Sequence, residues 1–261
     1  MIRLASPGHA LFAATFIGLG VLGLIQGDFT PIWAGVPKGV PARESLAYLC
    51  ACVSLLAGIG LLWQRTAVVA SCMLLTSLLL WLLAIRVSRL FLDPPAVVTW
   101  WACAETAAMA AGAWVLYAWF ASNRRESRFS FVAGDKGLCI ARVLYGLALI
   151  PFGIAHFTYF KETVVLVPGW LPAPDAWAYF TGAAFIAAGV AILVRVYGRL
   201  AATLSAWEMG LLTLLVWVPI VAGEPNAYQW SEFVDSLALT AAAWVVADSY
   251  RGVPWLALST R

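Results

Sequence analysis

One apolar run, Leu138–Phe157 (LCIARVLYGLALIPFGIAHF), holds an ionisable side chain near each end, Arg142 and His156. A run of about twenty residues is long enough to cross a bilayer core as a helix, and charge inside it is costly, so each such group calls for a reason. At about 100° per residue the fourteen steps between them leave both on nearly one face, roughly 21 Å apart along the axis. Tyr145, Gly146, Leu149 and Gly153 share that face. Two later carboxylates, Glu232 and Asp235, open the last apolar run at the level where His156 closes its own, and Tyr179 and Trp230 lie at the same level. Imidazole titrates near neutral pH, so His156 bonded to Asp235 or Glu232 could grip a ligand carbonyl or exchange a proton with it. The plainer reading is a set of polar residues wetted by headgroups and water. Toward the opposite end, Glu208 lies about nine residues into its run, near enough in depth to Arg142 for an ion pair between neighbouring helices. That pair reads either as a structural lock on helix register or as the polar floor of a pocket.

Composition dictates what carries these groups. With 63% hydrophobic and 11% charged residues and a mean hydropathy of +0.88, the chain lies far from soluble domains. Backbone polar groups cannot go unpaired in lipid, so the spanning elements are expected to be helices. The expected spans are Ala10–Gln26, Ser45–Trp63, Thr66–Ile85, Val97–Phe120, Leu138–Phe157, Asp175–Val194, Leu200–Val221 and Trp230–Ala247. The first has no convincing small-residue cleavage site after it and is expected to stay as an uncleaved helix. Arg86–Ala96 reads as a short loop, and residues 122–137 as a basic linker between a first unit, 1–121, and a second, 138–261. Ten lysines and arginines fall on the side of both termini and five on the other, which predicts cytoplasmic termini. Trp33, Trp100, Trp101, Trp170, Trp177 and Trp230 fall on the opposite side, as an interfacial belt would. The small net charge of +3 offers no patch for nucleic acid.

The chain also repeats itself. Val36-Pro37-Lys38-Gly39-Val40-Pro41-Ala42 matches Val167-Pro168-Gly169-Trp170-Leu171-Pro172-Ala173, and Trp100, Glu105 and Trp114 align with Trp230, Asp235 and Trp244. Four spans per copy, an even number, insert both copies the same way up, as parallel repeats related by an axis along the membrane normal. The fold expected is therefore an all-α integral membrane protein, eight transmembrane helices in two parallel four-helix bundles.

The second unit resembles the DoxX family on Arg142, Gly146, Gly153 and His156, then Leu171-Pro172, Gly182, Ala188-Gly189, Arg199 and the Trp230-Ser231-Glu232-Phe233 opening of the last span. The first unit departs from that pattern, with His9 at the arginine position and Gly23 at the histidine position. Ala183-Ala184-Phe185 stands where family members often carry a carboxylate. The resemblance implies a multi-pass protein of the bacterial inner (plasma) membrane. Some of the family are membrane subunits of quinone-linked oxidoreductases. It thus implies a quinone as the ligand of the His156 set, no covalent cofactor, and a soluble redox partner to supply electrons. The residues themselves leave open a non-enzymatic binder or transporter of a small apolar molecule or lipid, and an assembly scaffold.

Other chemistry finds little footing. Cys50 and Cys52 face different ways on a helix, no C-x-x-C occurs, and buried thiols act chiefly as small hydrophobes. The two histidines, His9 and His156, fall at opposite membrane faces, which excludes a bis-histidine haem within the chain. No metal site is expected. Glu105 is placed to meet Arg86 or Arg89 in the first unit.

Overall fold

The computed structural model describes residues 5–122, 133–223 and 226–258. Among them are nine helices and no strand: α1 (Pro7–Gln26), α2 (Arg43–Leu62), α3 (Ala67–Leu92), α4 (Val97–Ser122), α5 (Gly134–Thr158), α6 (Phe160–Leu166), α7 (Pro174–Leu193), α8 (Gly198–Gly223) and α9 (Ala227–Asp248). Six of them, α1, α2, α3, α5, α7 and α8, are long and apolar enough to cross a membrane, the mark of a multi-pass membrane protein. The other two long helices, α4 and α9, face protein rather than lipid over much of their length. Fourteen residues of α4 are buried, many of them alanines.

Two boundaries differ from expectation. Residues 82–92, partly read as loop, continue α3 as helix. Residues 134–137 of the linker are already helical in α5. The linker's Arg124, Arg125 and Arg128, with Arg3 and Arg261, lie outside the described residues.

The start of α1 meets the end of α9, since a Cβ on Gly8 would lie 2.9 Å from Trp244 and 3.1 Å from the Val245 nitrogen. The end of α1 meets the start of α9, where Gln26 Nε2 donates to Ser231 Oγ at 3.1 Å. The start of α1 and the end of α9 therefore share one end of the molecule, called here the near end.

Around the molecule the long helices pack as a closed circuit, each on the next in chain order, with α9 returning to α1. Across the circuit α4 packs directly on α9. The expected pair of self-contained four-helix bundles is thus joined through its fourth helices. α4 packs on α5 of the second unit, and α9 packs on α1 of the first. The closest approach of α4 and α9 comes at Gly112, where a Cβ would lie 3.0 Å from the Ala242 Cα.

Small residues let the helices of each unit approach. On α5 a Cβ at Gly153 would lie 2.4 Å from the Gly182 carbonyl oxygen of α7, and one on Gly58 would lie 2.8 Å from the Ala13 oxygen of α1. Backbone cannot yield as a side chain does, so Gly153→Ala is expected to destabilise the protein by about 1–3 kcal/mol through overpacking. Gly169→Ala, with open space around it, should be near neutral. Unfolding midpoints in mixed detergent micelles check the contrast; equal effects would contradict it.

Two backbone irregularities recur. Ala42 and Ala173, which close the matching Pro-rich stretches, both take left-handed φ, 56° and 54°, just before α2 and α7. A π-helical turn interrupts α3 at Leu82–Val87 and α8 at Thr213–Trp217.

Candidate functional site

The π turn in α3 decides what faces the core. The buried stripe of α3 runs Ala67, Ala70, Ser71, Leu74, Leu75 and Leu78. Eighteen residues make five α turns, so a regular helix would bring position 85 beneath Ala67. The wider turn consumes one more residue, and Arg86 comes inward in place of Ile85. Arg86 is 6% exposed. Its Nε donates to Thr106 Oγ1 of α4 at 3.2 Å, and its Nη2 donates to the Pro31 and Ile32 carbonyls at 2.8 and 3.4 Å. It thus ties α3 and α4 to the single 3₁₀ turn Pro31–Trp33 that follows α1.

Beside this guanidinium lie two carboxylates from different units. Glu105 of α4 and Asp235 of α9 are charged neighbours of each other and of Arg86, and Glu232 is a further neighbour of both. Asp235 is 4% exposed, and its Oδ1 is buried without a hydrogen-bond partner. Glu105 and Asp235 each precede the α4–α9 crossing residues Gly112 and Ala242 by seven positions, two helical turns, so they fall on the crossing faces. Each is eight residues from its helix start, about 12 Å in from the far end. Two carboxyl groups thus flank one arginine at membrane depth, with Glu232 beside the two carboxyls. Charge there is tolerated when paired or when it serves a ligand or proton path. The far-end loop adds an ion pair of its own, Arg43 to Asp28 at 2.8 Å.

The expected His156 set is not assembled. The His156 Nδ1 lies 2.8 Å from the Phe152 carbonyl oxygen, which can only accept, so the ring proton sits on Nδ1. Its ring packs 5.5 Å from Phe185. Tyr179 is 52% exposed and stacks on Phe160 at 4.5 Å, and Trp230 packs edge-on against Phe233. Neither Asp235 nor Glu232 bonds to His156, because α9 turns its carboxylate toward Arg86 and α4.

The expected Arg142–Glu208 pair is likewise not formed. Arg142 donates through Nε to Ser249 Oγ at 3.0 Å and through Nη2 to the Ser249 carbonyl, and stacks 3.9 Å over the Tyr250 ring. A cation gains from the partial negative charge and free carbonyls at a helix C-terminus, and the end of α9 offers both. Glu208 Oε1 is left buried with no partner. His9, at the corresponding near end of α1, is fully buried. Its Nδ1 accepts from the Ala5 N–H at 3.1 Å, so Nε2 donates to the Leu61 carbonyl at 3.0 Å. Both near-end positions of the first helices are thus fastenings.

Arg86 and Glu105 were visible in the sequence as neighbours, but Asp235 of the other unit was not expected among them. Among the described residues no group of three histidine, cysteine or carboxylate side chains is arranged to hold a metal ion. All five cysteines are free.

Residues 145–232, from within α5 to the start of α9, match a family described as "Domain of unknown function (DUF8561)". No curated protein and no solved structure matches the chain.

Proposed function

We propose that the chain is an eight-span membrane protein built from a duplicated, DoxX-like four-helix unit, and that it binds or transports a small apolar molecule with a polar head at Arg86, Glu105 and Asp235. The observation that carries this reading is the buried Asp235 Oδ1, unpartnered beside a second carboxylate and an arginine drawn from the other unit. Duplication is supported by the paired left-handed alanines, the paired π turns and the meeting of Gly112 with Ala242, which stand at equivalent positions of the two units. Parallel units related by an axis along the membrane normal would place two equivalent residues face to face in this way. Eight spans follow if α4 and α9 also cross, and their burial between other helices explains why they need less apolar surface. The lysine and arginine distribution supports cytoplasmic termini, and a bacterial inner membrane follows from the DoxX resemblance.

A second reading has one observation in its favour. With its proton on Nδ1, His156 offers Nε2 as an acceptor, which suits the hydroxyl of a reduced quinone. That is the redox-linked role, with a soluble electron donor, that the resemblance implies.

Solvent extraction of protein purified in mild detergent, followed by mass spectrometry and ultraviolet spectroscopy, tests both. A near-stoichiometric small molecule lost from Asp235→Asn but kept by His156→Ala is expected. Quinone lost from His156→Ala alone would favour the redox role. Bulk lipid in equal amounts from all three proteins would sink both readings and leave a scaffold.

A further inference from the structure

The near end carries a second feature, independent of the Arg86 cluster. A cavity of about 160 Å³ lies between α8 and α9. Arg199, Thr203 and Trp207 line it from α8, four residues apart and so on one face. Trp244 and Asp248 line it from one face of α9, and Arg251 from the turn that follows. The two helices run in opposite directions, so both arginines sit at the near end and both indoles lie deeper. Trp207 stands eight residues beyond Arg199, about 12 Å along the axis. The indole centroids are 5.4 Å apart, and Trp207 is 53% exposed on the lipid-facing side.

Polarity thus changes along the cleft from ionic to apolar over the distance that separates a lipid's headgroup from its acyl chains. The ionic end is built and incompletely used. Arg199 stacks 4.0 Å over Trp255 and donates Nη1 to the Val253 carbonyl at 2.8 Å, which fixes the guanidinium at the cavity. Its other N–H groups have no hydrogen-bond partner among the described residues. Arg251 is oriented by Asp248 Oδ1 at 2.8 Å. Asp248 is about nine-tenths buried, and its Oδ2 has no hydrogen-bond partner. Two guanidinium groups against one carboxylate leave a single net positive charge, matching one phosphodiester. The orphaned Oδ2 is turned away from the cleft toward α1, 3.2 Å from where a Cβ on Gly8 would stand, so Asp248 serves the site by orienting Arg251.

We propose that this cleft is a phospholipid site, in which Arg199 and Arg251 hold the phosphate, Asp248 orients Arg251, and an acyl chain lies along Trp207 and Trp244. Guanidinium is well matched to phosphate oxygens, and basic sites between helices at a membrane surface recognise lipid headgroups.

The test is native mass spectrometry of the full chain, delipidated in mild detergent and offered lipids one at a time. One phosphatidylglycerol per chain is expected to survive. Arg199→Gln and Arg251→Gln are each expected to reduce retention by about tenfold or more, the loss of a charge-assisted bond. Trp207→Leu, exposed and outside the fold's core, should weaken retention without changing the unfolding midpoint of lipid-free protein. Arg251→Gln serves where Arg199→Gln fails to fold, because the Arg251 side chain is more than half exposed. Equal retention of diacylglycerol, which has no phosphate, would overturn the proposal. So would full competition by inorganic phosphate, or unchanged retention in Arg251→Gln.

Discussion

Arg86→Met is expected to lower folding stability by about 3–5 kcal/mol, the cost of removing one partner from a buried ionic group. Two effects act together. The substitution frees the Pro31 and Ile32 carbonyls and the Thr106 hydroxyl from their donor. It also leaves Glu105 and Asp235 beside each other without the cation they share. The second effect can be isolated. Adding Asp235→Asn to Arg86→Met removes the uncompensated carboxylate, so the double variant is expected to be less destabilised than the sum of the singles by about 0.5–3 kcal/mol. Thr106→Ala with Asp235→Asn, which leaves the guanidinium in place, should be closer to additive. Reversible unfolding in mixed micelles measures all of these. Strict additivity of Arg86→Met and Asp235→Asn would mean that the two units are not coupled through this cluster, and the site would lose its basis.

The spans were legible because a bilayer imposes length and apolarity, and these leave direct traces in sequence. The repeat was legible because Ala42 and Ala173 end matching Pro-rich stretches, and their shared left-handed backbone follows. What periodicity does not carry is which helix packs on which. A four-helix unit folded on itself would have put Asp235 near His156, whereas α9, while still packed on α8, also packs on α1 and α4 of the first unit and places it near Arg86. The π turn is hidden for a related reason: nothing in Leu82–Val87 distinguishes it from ordinary helix, so Arg86 was read as a loop residue. The short helix α6 falls between the expected spans Leu138–Phe157 and Asp175–Val194, too short to leave a spanning signal of its own. Arg142 and Glu208 were judged by depth alone. Depth permits the pair, but the carbonyls at the end of α9 compete for the same guanidinium, and they depend on where that helix stops.

That competition gives the last prediction. Arg142→Ala removes two hydrogen bonds from a charged donor, worth roughly 1.5–3 kcal/mol each when one partner stays buried. It also removes stacking on Tyr250, worth about 0.5–2 kcal/mol. Allowing for water entering at the near end, a net loss of about 2–4 kcal/mol is expected, well above the effect of an exposed ion pair. Lysine should not rescue it, since an ammonium cannot donate in a fork and stack on a ring at once. The same loss is expected in a Glu208→Gln background, because the two side chains share no contact, and independent sites add to within about 0.3–0.5 kcal/mol. A coupling well beyond that would restore the Arg142–Glu208 pair. Additivity would leave Arg142 as the fastening of the last helix, with Ser249 receiving both bonds, and Glu208 as a carboxyl group held in the second unit for another purpose.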